Sequence, residues 1–504
     1  MSPVAIAWTL FAVYLVGTFW LAWLGHRRTK SFADFAVGGR DMGPGMAGLT
    51  LGACLASTAT FVINPGFVYA YGLPALIALT IPLFAGVFFG LWVLGPGFRR
   101  FGGQATTLPV WIGQRYGSQG LRAWFALLSL LHVFYIVLIV VGAAYVMSAT
   151  MGVTYPVAVA ITVCVVFSYV FLGGTYAHAY TNTAQGMVML VVALLIFGVA
   201  LSGIGSPGAA LDALASQDAN LVGLVHPESP FYRHWAEVIV CPFVIGFTLV
   251  AQPHLLVKTL YLKQTKDLLK FGVVGAGCFV VFSLVLFAGI AARLELGADL
   301  KQDVAMATWL GQAFPPALGA VVSVAILAAA MSTLDGLLVA VSAIVGADLA
   351  THPAICRRFG IEGPEAQSKA ALRAGRVTVV VLGGVAWIVA LNPPALVGIF
   401  GTVGTYGLLA ASLPAILFGV LLKRPPAASG VAAASVVALA VHLGLYYGGV
   451  TINTGLTATA GLLASLPVCF LPDVLGRRRS ARIVEEPAPA VAPAVEPALA
   501  HSAA

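Results

Sequence analysis

Two adjacent hydroxyl residues, Ser332 and Thr333, stand within the apolar run Ala328–Ala347, AAAMSTLDGLLVAVSAIVGA. Hard cations take oxygen ligands in place of water, and hydroxyls supply them. At lipid depth such a pair is tolerated where it faces protein or a cavity. A small cation carried across a membrane is the first chemistry this suggests. The bland alternative is a pair of hydroxyls bonded back to carbonyls of their own helix. Two residues further on, Asp335 is the one carboxylate placed well inside a span. A charge at mid-depth costs about 2.5–3.5 kcal/mol on insertion scales. Asp335 therefore reads either as a cation or proton site or as a residue facing a cytoplasmic vestibule. Asp348, just past the run, reads as a solvated cap.

Such oxygens need elements to hold them, and broken helices provide more of the same. An interruption at membrane depth frees backbone carbonyls, which is useful where they bind something. A span expected at 44–70 carries Gly48, Gly52-Ala53-Cys54, Ala56-Ser57-Thr58 and Asn64-Pro65-Gly66. Five spans later, 236–258 carries Pro242, Gly246 and Gln252-Pro253-His254. Interruptions at equivalent places in two five-span units point to an inverted-repeat transporter. His254, in the second break, reads as a gate, a solute contact or a packing residue. His132 and His178 read as hydrogen-bonded packing residues.

Composition sets the class. Of 504 residues, 60% are hydrophobic and 9% charged, where a soluble domain carries about 25% charged. Apolar runs near bilayer length recur throughout, which makes the chain an all-α polytopic membrane protein. Thirteen transmembrane helices are expected, at 3–25, 44–70, 73–97, 122–149, 154–174, 178–202, 236–258, 269–292, 315–348, 375–393, 396–421, 429–450 and 454–474. Val4–Gly25 reads as a retained span, because its basic cluster follows it and no cleavage site does. With the N-terminus outside, 23 of the 26 Lys and Arg, Lys258 among them, fall in cytoplasmic loops or the tail. Only Arg233, Arg293 and Lys301 fall outside, so the positive-inside rule is met and the C-terminus is cytoplasmic.

These basic loops orient the protein and meet lipid headgroups, which excludes a nucleic-acid partner. The expected units are 1–43 (peripheral first helix and cytoplasmic loop), 44–202 (first repeat), 203–235 (extracellular loop), 236–421 (inverted repeat), 422–476 (two peripheral helices) and 477–504 (disordered tail). That tail is too short for a catalytic domain. The six cysteines form no CxxC pair. No Walker A, GxSxG, HExxH or dinucleotide fingerprint occurs in a fitting context, so the chain is not expected to be an enzyme. No obligatory protein partner is expected.

The motifs, in order, are Ser31-Phe32-Ala33-Asp34-Phe35 with Gly38-Gly39-Arg40, Thr107-Leu108-Pro109, Gly173-Gly174, Gln252-Pro253-His254 and Ala328–Leu338. Over residues 5–475 they resemble the sodium/solute symporter family, which includes the sodium/proline, sodium/pantothenate, acetate, iodide and sodium/glucose symporters. The resemblance implies the LeuT-type five-plus-five inverted repeat. It also implies a Na⁺ site between the second and ninth spans, made of the carbonyls of Ala53, Ala56 and Ala329 and the hydroxyls of Ser332 and Thr333. Five neutral oxygens suit a monovalent cation, since Ca²⁺ recruits carboxylates. Proton coupling is the alternative.

Two positions depart from the relatives. Leu55 stands where the sodium/proline symporter has an aspartate. Asn182 stands where many relatives have an aspartate linked to ion coupling, so one coupling ion is expected, with Asn182, Asp335 and His254 as coupling or gating positions. The implied solute contacts are Ser57, Thr58, Phe134, Ile245, Leu249 and Gln252. The aromatic positions that serve proline appear here as Phe134, Ile245 and Leu249, which argues against proline. Residues 65–72 and 182–186 resemble the pantothenate and monocarboxylate branch. The expectation is a symporter of the cell (inner) membrane that imports a small organic acid by alternating access. Since no basic residue is expected at mid-depth, helix N-termini or amides would receive the acid. The alternatives are an amino acid or sugar symporter and, in a different class, a nutrient sensor or channel.

Overall fold

In a bilayer every backbone polar group must be satisfied within the protein, and helices do this segment by segment. Apolar runs this long therefore fold as helices. The computed structural model of the chain describes residues 2–29, 36–102, 105–394 and 396–476, and only the backbone of 39, 169 and 171–174. Ser31–Phe35 and the tail with Arg477, Arg478, Arg479 and Arg482 lie outside the described residues. Among the described residues there is no β-strand, only an isolated bridge between Met42 and Leu262.

The main helices are α1 (Pro3–Arg28), α2 (Pro44–Leu55), α3 (Asn64–Leu79), α4 (Ile81–Arg100), α5 (His132–Met151), α6 (Tyr155–Ile204) and α7 (Cys241–Leu249). They continue as α8 (Asp267–Ser283), α9 (Pro316–Ile344), α10 (Gly363–Leu391), α11 (Val397–Leu421), α12 (Ala428–Tyr447) and α13 (Thr454–Val468). Proline in the first turn opens α1, α2, α6 and α9, where its missing N–H would be unpaired anyway. The helix α9 lies at the centre: every residue from Val322 to Val339 is buried.

Among the described residues, ten helices are long and apolar enough to cross a bilayer. They become eleven if the bent pair Ala236–Leu249 and Pro253–Tyr261 forms one span. Thirteen is not reached by this measure. The spans expected at 44–70 and 154–174 are represented by the shorter apolar helices Pro44–Leu55 and Tyr155–Ser168. A break cuts the first of these short. The second continues into its neighbour as one helical run of 50 residues, for no proline follows Pro156 before its end. A straight run of that length would measure about 75 Å, against a hydrocarbon core of about 30 Å, and the part of it long and apolar enough to cross is Thr175–Ile204.

Both expected interruptions are present. Ala56 leaves the helical region (φ −88°, ψ 115°), ending α2, and a π-helical turn Ala59–Ile63 leads into α3. After α7 the chain turns by 59° into Pro253–Tyr261. A further kink falls at Gly72, whose φ of +62° lies in the left-handed region. A side chain there would also strike the Leu221 carbonyl, at 2.2 Å from the added Cβ, so Gly72 is required twice over.

Several loop arginines close helix ends. Arg99 donates to the Thr259 and Leu262 carbonyls, both at 2.6 Å, closing the end of the bent segment. Arg115 donates to Gly419 and Leu422 at the end of α11. Cations at helix C-termini satisfy otherwise unpaired carbonyls and favour the helix dipole. Asp348 is a correction. It is fully buried, accepts from Thr107 Oγ1 and Arg122 Nε, both at 2.6 Å, and so ties the π-helical turn Val345–Ala350 after α9 to two distant segments rather than meeting solvent.

Candidate functional site

The break after α2 frees two carbonyls. In an uninterrupted helix the Ala53 carbonyl would take the Ser57 N–H, and Ala56 would take Thr60. Instead Ser57 N donates to Thr60 Oγ1 at 3.3 Å and Thr60 N donates to the Ser57 carbonyl at 2.9 Å. The released oxygens meet α9: Ser332 Oγ donates to Ala53 O at 2.9 Å and Thr333 Oγ1 to Ala56 O at 3.1 Å. Thr333 also bonds back to Ala329 O at 3.3 Å. Ala53, Ala56, Ala329, Ser332 and Thr333 are thus brought together, and all five are essentially buried. Back-bonding accounts for one of the three hydroxyl contacts. The other two cross between helices nearly 280 residues apart in the chain.

One turn along α9 the structure holds something the sequence reading missed. Lys258, expected in a loop, is 1% exposed on the turn Val257–Tyr261. Its Nζ donates to His178 Nε2 at 2.8 Å, and His178 Nδ1 donates to Asp335 Oδ1 at 2.7 Å. Thr181 Oγ1 donates to Asp335 Oδ2 at 3.2 Å. With Lys258 as the ammonium, one tautomer satisfies both ring contacts: hydrogen on Nδ1, lone pair on Nε2. Positive and negative charge are then joined through a neutral ring. Asn182 sits beside them, donating to Cys54 Sγ at 3.1 Å, and Cys54 Sγ is 3.6 Å from His178 Nε2. His178 is therefore part of a charged bridge, and Asp335, at 1% exposure, faces that bridge rather than a vestibule. The signal available in the sequence was a lone lysine inside the apolar run LLVKTLYL at 255–262.

Between the two breaks lies a cavity of about 140 Å³. The first break contributes Leu55, Thr60 and Asn64, and the second Leu249, Gln252 and His254; Tyr135 and Tyr406 complete its polar margin. Among the described residues no Asp, Glu, Lys or Arg lines it. Of the expected solute contacts, Leu249 and Gln252 are on its wall, joined by His254. Ser57 lies one step back, 3.3 Å from the Tyr135 hydroxyl. Thr58 donates to Ile139 O at 3.3 Å, Phe134 packs on Phe400, and Ile245 is buried behind the wall.

Known proteins resemble this chain along most of its length. A family profile described as the sodium:solute symporter family matches residues 35–437. The sodium/pantothenate symporter of Haemophilus influenzae is 26% identical over 485 residues, covering 93% of this chain and 96% of the relative. That of Escherichia coli is 28% identical, covering 92% and 95%. The osmoregulated proline transporter of Bacillus subtilis is 25% identical, covering 92% of each. Among solved structures, a Na⁺-coupled sialic acid symporter in a substrate-bound outward-open state matches with a TM-score of 0.78 at 18% identity, over 93% of this chain and 97% of that one. A nucleobase-cation-symport-1 family transporter in a closed conformation gives 0.57 at 16% identity, over 91% and 97%. At these identities the structural likeness speaks for the fold alone.

Proposed function

The chain belongs to the sodium:solute symporter family and is a Na⁺-coupled membrane transporter of the LeuT-type fold, and we propose that it imports a small organic acid, pantothenate-like rather than proline, with one Na⁺. The observation that carries the ion site is the crossing of Ser332 and Thr333 onto the carbonyls of Ala53 and Ala56. Carbonyl oxygens are cation ligands as they stand. The hydroxyls become ligands when their hydrogens turn away and their lone pairs face the ion. The five neutral oxygens suit Na⁺.

Support for the acid comes from residues 65–72 and 182–186, which resemble the pantothenate and monocarboxylate branch, from the two sodium/pantothenate relatives, and from the positions that argue against proline, Phe134, Ile245 and Leu249. In the cavity, Asn64, Tyr135, Gln252 and Tyr406 carry side-chain hydrogens that can be donated to a carboxylate. In the cycle we propose, Na⁺ joins α9 to the broken second span and favours an outward-open state, the solute binds between the breaks, and the repeats 44–202 and 236–421 rock. Each ligand biases that motion only through its different affinity for the two states. The charge bias of the loops favours an N-terminus outside and a C-terminus in the cytoplasm of the inner membrane. The test is uptake in proteoliposomes under an imposed ²²Na⁺ gradient, with pantothenate and short carboxylates as solutes. Accumulation that needs Na⁺ supports the reading; equal uptake without Na⁺ ends it.

A further inference from the structure

The ion site and the charged bridge share two helices. Ser332 and Asp335 stand three residues apart on α9, which puts them on one face, a turn apart. Ala53 and Cys54 are neighbours near the end of α2. The Ala53 carbonyl accepts from Ser332, and Cys54 Sγ lies 3.6 Å from His178 Nε2. A cation held by Ser332 and Ala53 therefore sits about one helical turn from a carboxylate. Gly336 makes room for the ring that meets this carboxylate. A Cβ there would sit 2.9 Å from His178 Cε1 and 3.1 Å from Cys54 Sγ.

What Asp335 offers a nearby ion depends on Lys258. Among the described residues four carboxylates are buried, Glu237, Asp303, Asp335 and Asp348, and Lys258 is the one buried Lys or Arg. Glu237 and Asp348 each meet a guanidinium directly, Arg233 at 2.7 Å and Arg122 at 2.6 Å. Asp335 meets its ammonium through His178, with a neutral ring between the two charges. Charges held apart in this way offset each other only in part, and each still acts on a third charge beside them. The two also belong to different elements. Lys258 is on the turn Val257–Tyr261, just past the second break, while Asp335 is on α9.

We propose that Lys258 is a tethered competitor of Na⁺: its ammonium offsets the field of Asp335 at the ion site, so Na⁺ is held loosely while Lys258 is seated and tightly once it is withdrawn. The turn that carries Lys258 then acts as a release device for the ion. By the same balance, Na⁺ in its site opposes the seating of Lys258, since a ligand shifts an equilibrium by its difference in affinity for the two states. A unit charge about 10 Å from an ion, at the effective dielectric of protein, changes its affinity about tenfold or more. This rests on the Ser332–Thr333 ion site proposed above and adds its regulation. A bridge that merely fastened segments together would loosen the site when cut, and Na⁺ would bind more weakly.

The experiment measures ²²Na⁺ binding to the purified full-length protein in detergent by scintillation proximity, with choline keeping the ionic strength constant. K258M is expected to lower the half-saturating Na⁺ concentration at least tenfold. K258R, which keeps the charge, is expected to stay within threefold of the wild type. D335N is expected to raise it at least tenfold, and K258M/D335N to fall between the two single variants. Unchanged or weaker binding in K258M overturns the inference while leaving the ion site intact, and so does a K258R that tightens as much as K258M. Where K258M does not fold, the double variant decides: binding no tighter than in D335N overturns the inference. Absence of ²²Na⁺ binding in the wild type overturns both the inference and the ion site.

Discussion

Lys258 Nζ lies 2.8 Å from His178 Nε2, with both residues buried, and Asp335 closes the bridge from the other side of the same ring. Three segments, Val257–Tyr261, α6 and α9, are joined by it. Removing one partner of a buried charge pair leaves the other uncompensated, which costs about 3–5 kcal/mol. Lys258→Met is therefore expected to lower stability by about that amount, read by unfolding in detergent. Lys258→Met combined with Asp335→Asn removes both charges, and its loss is expected to fall well short of the two single losses added together. Additive losses would show that the ring does not couple the two charges.

The proposed ion site rests on two hydroxyls that cross between helices. Ser332→Ala with Thr333→Ala leaves the carbonyls of Ala53 and Ala56 in place and takes away two of five oxygens. A lost ligand worth roughly 1.5–3 kcal/mol, the range for hydrogen bonds to charged groups, raises the Na⁺ requirement at least tenfold. Ser332→Thr keeps the oxygen and is expected to shift it little. The Na⁺ dependence of uptake gives the answer, and an unchanged half-saturating Na⁺ concentration in the double variant would remove these residues from the site.

Membrane helices approach closely where small residues let backbones touch. On α4 and α7, a Cβ added at Gly86 would sit 2.1 Å from the Phe243 carbonyl, and one at Gly246 would sit 2.1 Å from the Leu83 carbonyl. The obstructing atoms are backbone, so the helices themselves must separate. Gly86→Ala and Gly246→Ala are each expected to cost about 1–3 kcal/mol, as overpacked cores do. Because one separation makes room for both, the double variant is expected to lose less than the sum. Thermal unfolding of the three variants checks this; full additivity would mean that each alanine is accommodated separately.

Much of this was legible in the chain, for identifiable reasons. Hydropathy fixed the helical membrane class, and Gln252-Pro253 marked the second break; in the first irregular span the break falls at Ala56, while Asn64-Pro65-Gly66 lies in helical backbone. The pairing of Ser332 and Thr333 with Ala53 and Ala56 followed from the family resemblance, and the chemistry of their oxygens agreed with it. Lys258 was hidden by its company: Lys263, Lys266 and Lys270 follow closely, and all four satisfied the charge bias equally well. Burial depends on the 59° turn, which carries Lys258 inward while the others stay outside. Asp348 was misread for a similar reason. Its partners, Thr107 and Arg122, are more than 220 residues away, and neither helical periodicity nor a local motif reports a contact of that range.

Asn182 bears on the charge carried per cycle. Its amide donates to Cys54 Sγ and supplies no negative charge beside the Ser332–Thr333 site. No Asp or Glu lines the cavity among the described residues. One Na⁺ moving with one monoanion carries no net charge, so voltage gives no drive, whereas each net charge moved would gain about 2.3 kcal/mol per 100 mV. That would change accumulation about fiftyfold, at about 1.4 kcal/mol per factor of ten. Uptake of an organic acid by proteoliposomes clamped at zero and at an inside-negative potential of about 100 mV is accordingly expected to be equal, with a tenfold Na⁺ gradient supplying about 1.4 kcal/mol. A large rise at the negative potential would require a second cation or an uncharged solute. Repeating the comparison with Asn182→Asp separates these: a voltage response that grows in the variant points to an ion beside residue 182, and an unchanged one to a neutral solute.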